Sequence, residues 1–195
     1  TAQGSAYGSL TTPDPVQLHA DLATLAREGV DHLAIEASSH GLDQYRLDGL
    51  HLAAAAFTNL THEHLELHGS FEAYRAAKVS LFERLGIAGR KGGAAGDLAP
   101  WPAVGIVNVD DPNAAFFAEG TRRAGARLIT YGTERRAEVR ATAVDEDARR
   151  LRVGVEAPGW RGTLELRLAG RFNVHNALAV VGLGVGMGLD PDAVA

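Results

Sequence analysis

Three apolar runs, Leu52 to Phe57, Val104 to Val107 and Arg127 to Tyr131, are too short for helices and alternate with segments whose apolar residues recur every three to four positions. Strand and helix in alternation restrict a chain severely, because parallel neighbours need long crossovers and helices supply them. The fold class read here is therefore α/β, a mostly parallel sheet flanked by helices. A first helix opens at Pro13 or Pro15, carries Val16, Leu18, Leu22, Leu25 and Ala26 at helical spacing, and stops at Gly29. A short strand is expected at His32 to Ile35, ending on Glu36, and further helices at Phe71 to Leu85 and Pro112 to Glu119. Gly86 to Pro100 reads as a flexible loop.

After Gly132 the period changes. Val139, Ala141 and Ala143, then Leu151, Val153 and Val155, then Leu164, Leu166 and Leu168 alternate with polar residues and are separated by turn sequences. A small antiparallel three-stranded sheet follows from that pattern, and Phe172 to Met187 returns to helix. No repeat of 20 to 50 residues is evident, and a single domain is expected.

Composition narrows the function. A chain of 195 residues that is 46% hydrophobic can bury one good core. A net charge of −5 and a pI near 5.9 give no basic field for nucleic acid. The absence of cysteine removes disulfides and thiolate metal sites and fits a cytoplasmic location. Neither an apolar run of about 18 residues nor a signal-peptide pattern occurs, so no membrane partner is expected. Gly89 to Gly96 does not fit GxxxxGK[ST], and Gly182, Gly184, Gly186 and Gly188 miss GxGxxG spacing, so both glycine series read as structural.

One helix carries an anomaly. Wound at 100° per residue, Phe71, Tyr74, Leu81, Phe82 and Leu85 share a face, and Lys78 falls near its middle. A lysine there runs its stem along the core edge, finds an anion, or loses its proton. In the last state the amine can add carbon dioxide, and the carbamate then offers two oxygens to a hard cation. Upstream, His62, Glu63, His64, Glu66 and His68 crowd seven positions after an apolar strand, where sites of open α/β sheets gather. A solvated loop is the plain alternative. HExxH is absent; zinc through His64 and His68 lacks an obvious third ligand, and a zinc hydrolase using His62, His64 and His68 stands as a further alternative. Ser38, Ser39 and His40 lack the GxSxG turn of a hydrolase.

Four blocks then occur in one order: EASSHGLDQYRLDG from Glu36, FTNLTHEHLELHG from Phe57, YRAAKVSLF from Tyr74 and GRFNVHNALA from Gly170. Over nearly the whole chain they resemble the central ATPase domain of the Mur ligases. The ThrThrPro at Thr11 to Pro13 and the SSHGLDQ form resemble the branch that adds the third peptide residue. The resemblance implies a P-loop-like α/β domain that uses ATP and Mg2+ in cytoplasmic peptidoglycan precursor synthesis. It implies a UDP-N-acetylmuramoyl dipeptide and a diamino acid, meso-diaminopimelate or lysine, as substrates, joined through an acyl phosphate. A folylpolyglutamate- or cyanophycin-type ligase, or a non-catalytic binding module, stands as the alternative.

The same resemblance assigns roles. Glu36, His64 and a carbamylated Lys78 match catalytic magnesium ligands; Thr11, Thr12, Ser38, Gln44 and Arg46 match positions that hold the UDP-linked substrate; Asn173 and Asn176 match contacts to the adenosine side of ATP. Taken locally, Ser38 and the two asparagines are equally helix caps and Arg46 a surface charge. The sequence departs from the pattern where relatives often have aspartate at Glu63, tyrosine at Leu67 and tyrosine at His175. The phosphate-binding loop expected upstream of Thr1, the N-terminal uridine-binding domain and the C-terminal amino-acid domain are missing. The chain is thus expected to be an incomplete central domain that turns over nothing alone.

Overall fold

In the computed structural model, which describes residues 10–61, 65–85, 103–134 and 136–194, the chain forms two compact units, Thr1–Leu50 with His62–Ser80 and His51–Thr61 with Leu81–Ala195. The first is helical. Helix α1 (Pro15–Arg27) begins as expected, because the Asp14 carboxylate accepts from the Val16 and Gln17 amides at 3.0 and 3.1 Å and proline in the first turn needs no donor. It ends before Gly29, whose φ of +78° is open to glycine. The apolar stripe is narrower than its spacing implied: Leu18 is buried, whereas Val16 is 80% exposed.

The strand expected at His32 to Ile35 does not form. Residues 31–38 run without ladder pairing, and His32, Leu33 and Ala34 are exposed. A short apolar run becomes a strand only when a neighbour takes its backbone groups, and no strand among the described residues pairs with it. The AlaSerSerHisGly segment instead winds into α2 (Ser39–Asp43). Helix α3 (Leu65–His68) and the residues of α4 (Phe71–Glu83) up to Ser80 complete this unit. The expected loop from Gly86 to Pro100 lies outside the described residues.

The second unit is built on one six-stranded sheet. Strands β1 (Ala54–Phe57), β2 (Val104–Asn108), β3 (Arg127–Gly132) and β4 (Val139–Glu146) are parallel neighbours in that order. Strands β5 (Leu151–Ala157) and β6 (Trp160–Leu166) extend it antiparallel. The three-stranded meander therefore continues the parallel sheet, through a short pairing of Tyr131 with Val139 and Gly132 with Arg140. Every residue of β2 is buried, as a strand covered on both faces must be, whereas β5 alternates.

Helix α6 (Phe172–Met187) lays Val174, Ala177, Leu178 and Val181 into the core formed with Ile106, Ile129, Tyr131 and Val139. Its glycines are indeed structural. A Cβ on Gly186 would lie 2.5 Å from Val104 Cγ1, so only glycine lets the helix approach β2 this closely. Helix α5 (Ala114–Arg123) brings Phe117 to stack on Phe57 at 3.6 Å and meet Phe82 edge-on at 5.2 Å. Among the described residues no helix is long and apolar enough to cross a membrane.

Candidate active site

In the first unit the polar residues singled out from the sequence gather around Thr12, which is fully buried. Its hydroxyl donates to the Glu36 carbonyl at 2.9 Å and accepts from the Ser38 amide at 3.0 Å. Ser38 Oγ lies 3.0 Å away and accepts from the Gly41 amide at 3.1 Å. With the Thr12 proton committed to Glu36, the Ser38 hydroxyl is the donor in that pair. Ser38 thus caps α2, and Gly41 has to be glycine because a Cβ there would stand 2.8 Å from Thr12 Cβ. Arg46 closes the group: Nη1 donates to the Thr12 carbonyl at 2.8 Å, and Nε and Nη2 donate to Gln44 Oε1 at 3.0 and 2.5 Å.

Thr12, Ser38, Gln44 and Arg46 are therefore brought together as one network. Thr11 is exposed beside it. Glu36 has its carbonyl tied to Thr12 and its side chain exposed, which leaves a carboxylate facing solvent from a fixed backbone. Between Gln44 and Arg46, Tyr45 adopts a φ of +56° and is 65% exposed. Tyr45 directly follows the C-cap of α2, where its amide donates to the Leu42 carbonyl at 3.1 Å and the Arg46 amide to the Gly41 carbonyl at 2.8 Å, so its left-handed φ closes the helix end. Sequence reasoning passed over Tyr45, since no residue type announces it.

Lys78 is half-buried, its Nζ 5.6 Å from the centre of the Tyr74 ring. Tyr74 is buried and meets the His68 ring on its own account at 5.4 Å. The lysine thus lies at the edge of the apolar stripe against an aromatic face that favours a cation. Nε2 of His68 is buried with no hydrogen-bond partner among the described residues. His64, like His62 and Glu63, lies outside the described residues. Among those described, no three of His, Asp and Glu cluster as a metal site.

The second unit carries its polar centre where β2 and β3 end, the usual position for ligands of an open α/β sheet. Asp110 accepts from the Thr133 amide at 2.5 Å, the Thr133 hydroxyl at 3.0 Å and the Glu134 amide at 3.2 Å. Its Oδ2 lies 3.0 Å from His175 Nε2 in α6. Burial pushes this carboxyl up, but the bonds from Thr133, His175 and Glu134 outweigh it and hold the group below its usual value. Asn173 Nδ2 donates to the Ala169 carbonyl at 2.8 Å, and Asn176 Nδ2 to Asn173 Oδ1 at 3.2 Å, so the two asparagines form one turn-spanning pair.

Three buried side chains hold the chain leaving β1. Tyr131 donates its hydroxyl to the Phe57 carbonyl at 3.0 Å, Asn108 Nδ2 donates to the Thr58 carbonyl at 2.7 Å, and Asp111 accepts from the Leu60 amide at 2.9 Å. Burial, with Asp110 and Asp111 nearby, pushes the Tyr131 phenol far up, so it remains a donor. Asp110 and Asp111 were missed in the sequence, although two aspartates directly after an apolar strand are a signal. On the opposite side of the meander a depression of about 500 Å³ is lined by Ala143, Asp145, Arg152, Gly154, Thr163 and Glu165. Its Arg152 and Glu165 pair with each other.

Comparison with known proteins adds a family. Residues 1–184 match the family described as Mur ligase middle domain. Over 187 residues the chain is 41% identical to the UDP-N-acetylmuramoyl-L-alanyl-D-glutamate--2,6-diaminopimelate ligase of Bradyrhizobium diazoefficiens, covering 94% of this chain and 36% of that protein. The ligase of the same name from Agrobacterium fabrum is 42% identical over 189 residues, covering 97% of this chain and 36% of the relative. A solved structure of a ligase of that name superposes with a TM-score of 0.80 at 28% identity, covering 93% of this chain and 35% of that one. The chain thus spans little more than a third of the length of the relatives it matches.

Proposed function

The chain belongs to the Mur ligase family through its middle domain, and from that membership we propose that it is the activating part of an ATP-dependent ligase that joins 2,6-diaminopimelate to UDP-N-acetylmuramoyl-L-alanyl-D-glutamate. On this reading it works in the cytoplasm, in peptidoglycan precursor synthesis, as one domain of a longer polypeptide. The observation that carries it is 41% identity over 94% of the chain to a ligase of that name. The gathered Thr12, Ser38, Gln44 and Arg46 support it, since hydroxyls, an amide and a guanidinium suit a polar, anionic substrate.

A carboxylate does not acylate an amine in water unaided. Its oxygen attacks the γ-phosphorus of ATP and ADP departs; the incoming amine then attacks the carbonyl carbon of the acyl phosphate, the C–N bond forms as inorganic phosphate leaves, and the nitrogen gives up a proton. Arg46 and the Thr12–Ser38 pair hold the UDP-linked substrate in this reading, with Thr11 beside them. Asn173 and Asn176 receive the adenosine side of ATP from the first turn of α6. Glu36, His64 and Lys78, the last after its amine has added carbon dioxide, are the residues that would hold magnesium. A carboxylate and a carbamate are oxygen donors of the kind that cation takes. When bound, magnesium neutralises phosphate charge during transfer.

The full-length polypeptide carrying this chain is predicted to release phosphate and form the tripeptide product when given ATP, the UDP-linked dipeptide and diaminopimelate. Product formation with lysine and none with diaminopimelate would contradict the assignment. The isolated chain is predicted to form no product.

A further inference from the structure

We propose that Asp110 and His175 are positioning residues for the nucleotide, fixing the first turn of α6 so that Asn173 and Asn176 meet the adenosine side in one geometry; the proposal rests on the reading of those asparagines given above. Helix α6 needs such a fixture. Its N-cap is Arg171, which makes no side-chain capping bond, so the usual device for anchoring a helix start is absent. Three other contacts replace it. Glu146 Oε1 accepts from the Gly170 amide at 2.8 Å, Asn173 folds back on the Ala169 carbonyl at 2.8 Å, and His175 Nε2 meets Asp110 at 3.0 Å.

Only the last reaches from within the helix to the ends of β2 and β3. Asp110 is itself immobilised. Its side chain is 9% exposed, it takes hydrogen bonds from Thr133 and Glu134, and its own amide donates to Asn108 Oδ1 at 3.0 Å. The space it occupies exists because residue 132 is glycine, where a Cβ would fall 2.7 Å from Asp110 Oδ1. One carboxylate therefore ties the end of β2, the end of β3 and the fourth residue of α6 together. His175 stands between Asn173 and Asn176 in sequence, so its ring fixes the rotation of the turn that carries both. Removing the tie keeps the bonds of Asn173 to Ala169 and of Asn176 to Asn173 but lets the turn that carries them shift, and binding then bears the cost of ordering that turn.

The test uses the full-length ligase. His175→Ala is expected to raise KM for ATP roughly fivefold to tenfold while kcat stays within about twofold and KM for the other two substrates is unchanged. His175→Gln, which keeps a donor toward Asp110, should recover most of that loss, and Asp110→Asn should reproduce the rise without deleting bulk. The two residues acting as one device, His175→Ala with Asp110→Asn should be no worse than the more severe single change. An unchanged KM for ATP in both His175→Ala and Asp110→Asn, with kcat and melting temperature falling together, would make the pair merely structural and overturn the proposal. Asn176→Ala separates the two levels. If it raises KM for ATP while the positioning variants do not, the nucleotide site stands and the positioning role fails; if neither changes it, the nucleotide site is misplaced and both fail.

Discussion

The two units of this chain are held together by different physics. In the sheet unit Val104, Ile106, Ile129, Tyr131, Val139, Leu151, Val153, Val155 and Leu178 are wholly buried, so apolar burial carries its stability. In the helical unit few side chains are buried, among them Leu18, Leu42, Leu47 and Tyr74, and two of the others are Thr12 and Ser39. Its centre is Thr12, with Ser38 and Arg46 bonded to it. A region built on burial tolerates polar variation at its edges, whereas one built on a single hydroxyl depends on that hydroxyl's donors and acceptors. The proposed substrate residues sit in the second kind of region, where geometry is set by hydrogen bonds that a ligand can also join.

Substitutions can break this contrast in either direction. The largest effect is expected from Phe117→Ala, which removes the ring stacked on Phe57 and edge-on to Phe82. It should cost about 3–5 kcal/mol of global stability in urea denaturation, and a loss below about 1 kcal/mol would mean that the aromatic stack is not what holds α5 down. Thr12→Val keeps the shape and deletes the hydroxyl. A local cost of about 1–3 kcal/mol is expected, visible as faster hydrogen exchange at the Ser38 and Gly41 amides with little change in exchange at β2. Equal acceleration in both places would erase the distinction between the units.

The smallest effect belongs to Asp110. Its native pKa lies below the usual 3.8, so the folded state binds the proton less readily than the unfolded state. The stabilisation is whole above pH 3.8 and disappears as pH falls through the lowered native value. Acid titration of Asp110→Asn should lack this part of the stability loss, whereas an acid limb identical to that of the unchanged protein would show that the carboxylate contributes nothing.

Legibility followed the same division. Periodicity located β2, β3, the meander and α6, the last with its ends at Phe172 and Met187, because burial on one face imprints a period. It failed at His32 to Ile35, where an apolar run finds no partner strand among the described residues, and it overestimated the buried stripe of α1. The carboxylate tie at Asp110 and the triple hold on residues 57–60 are tertiary facts, set by residues far apart in sequence. Four of the residues matched to substrate positions, Thr12, Ser38, Gln44 and Arg46, do meet in space. Lys78, read as the middle of a core stripe, instead lies half-buried against Tyr74.

That lysine carries the chemical core of the account, since its amine must become an anion to serve magnesium. The direct measurement is the intact mass of the full-length enzyme, and of its Lys78→Ala variant, under mild bicarbonate-containing conditions. The account predicts the mass of one added carbon dioxide on the active enzyme, absent from the variant, with activity lost on substitution and regained with a short carboxylic acid. A fully active enzyme whose Lys78 carries no added group would contradict it.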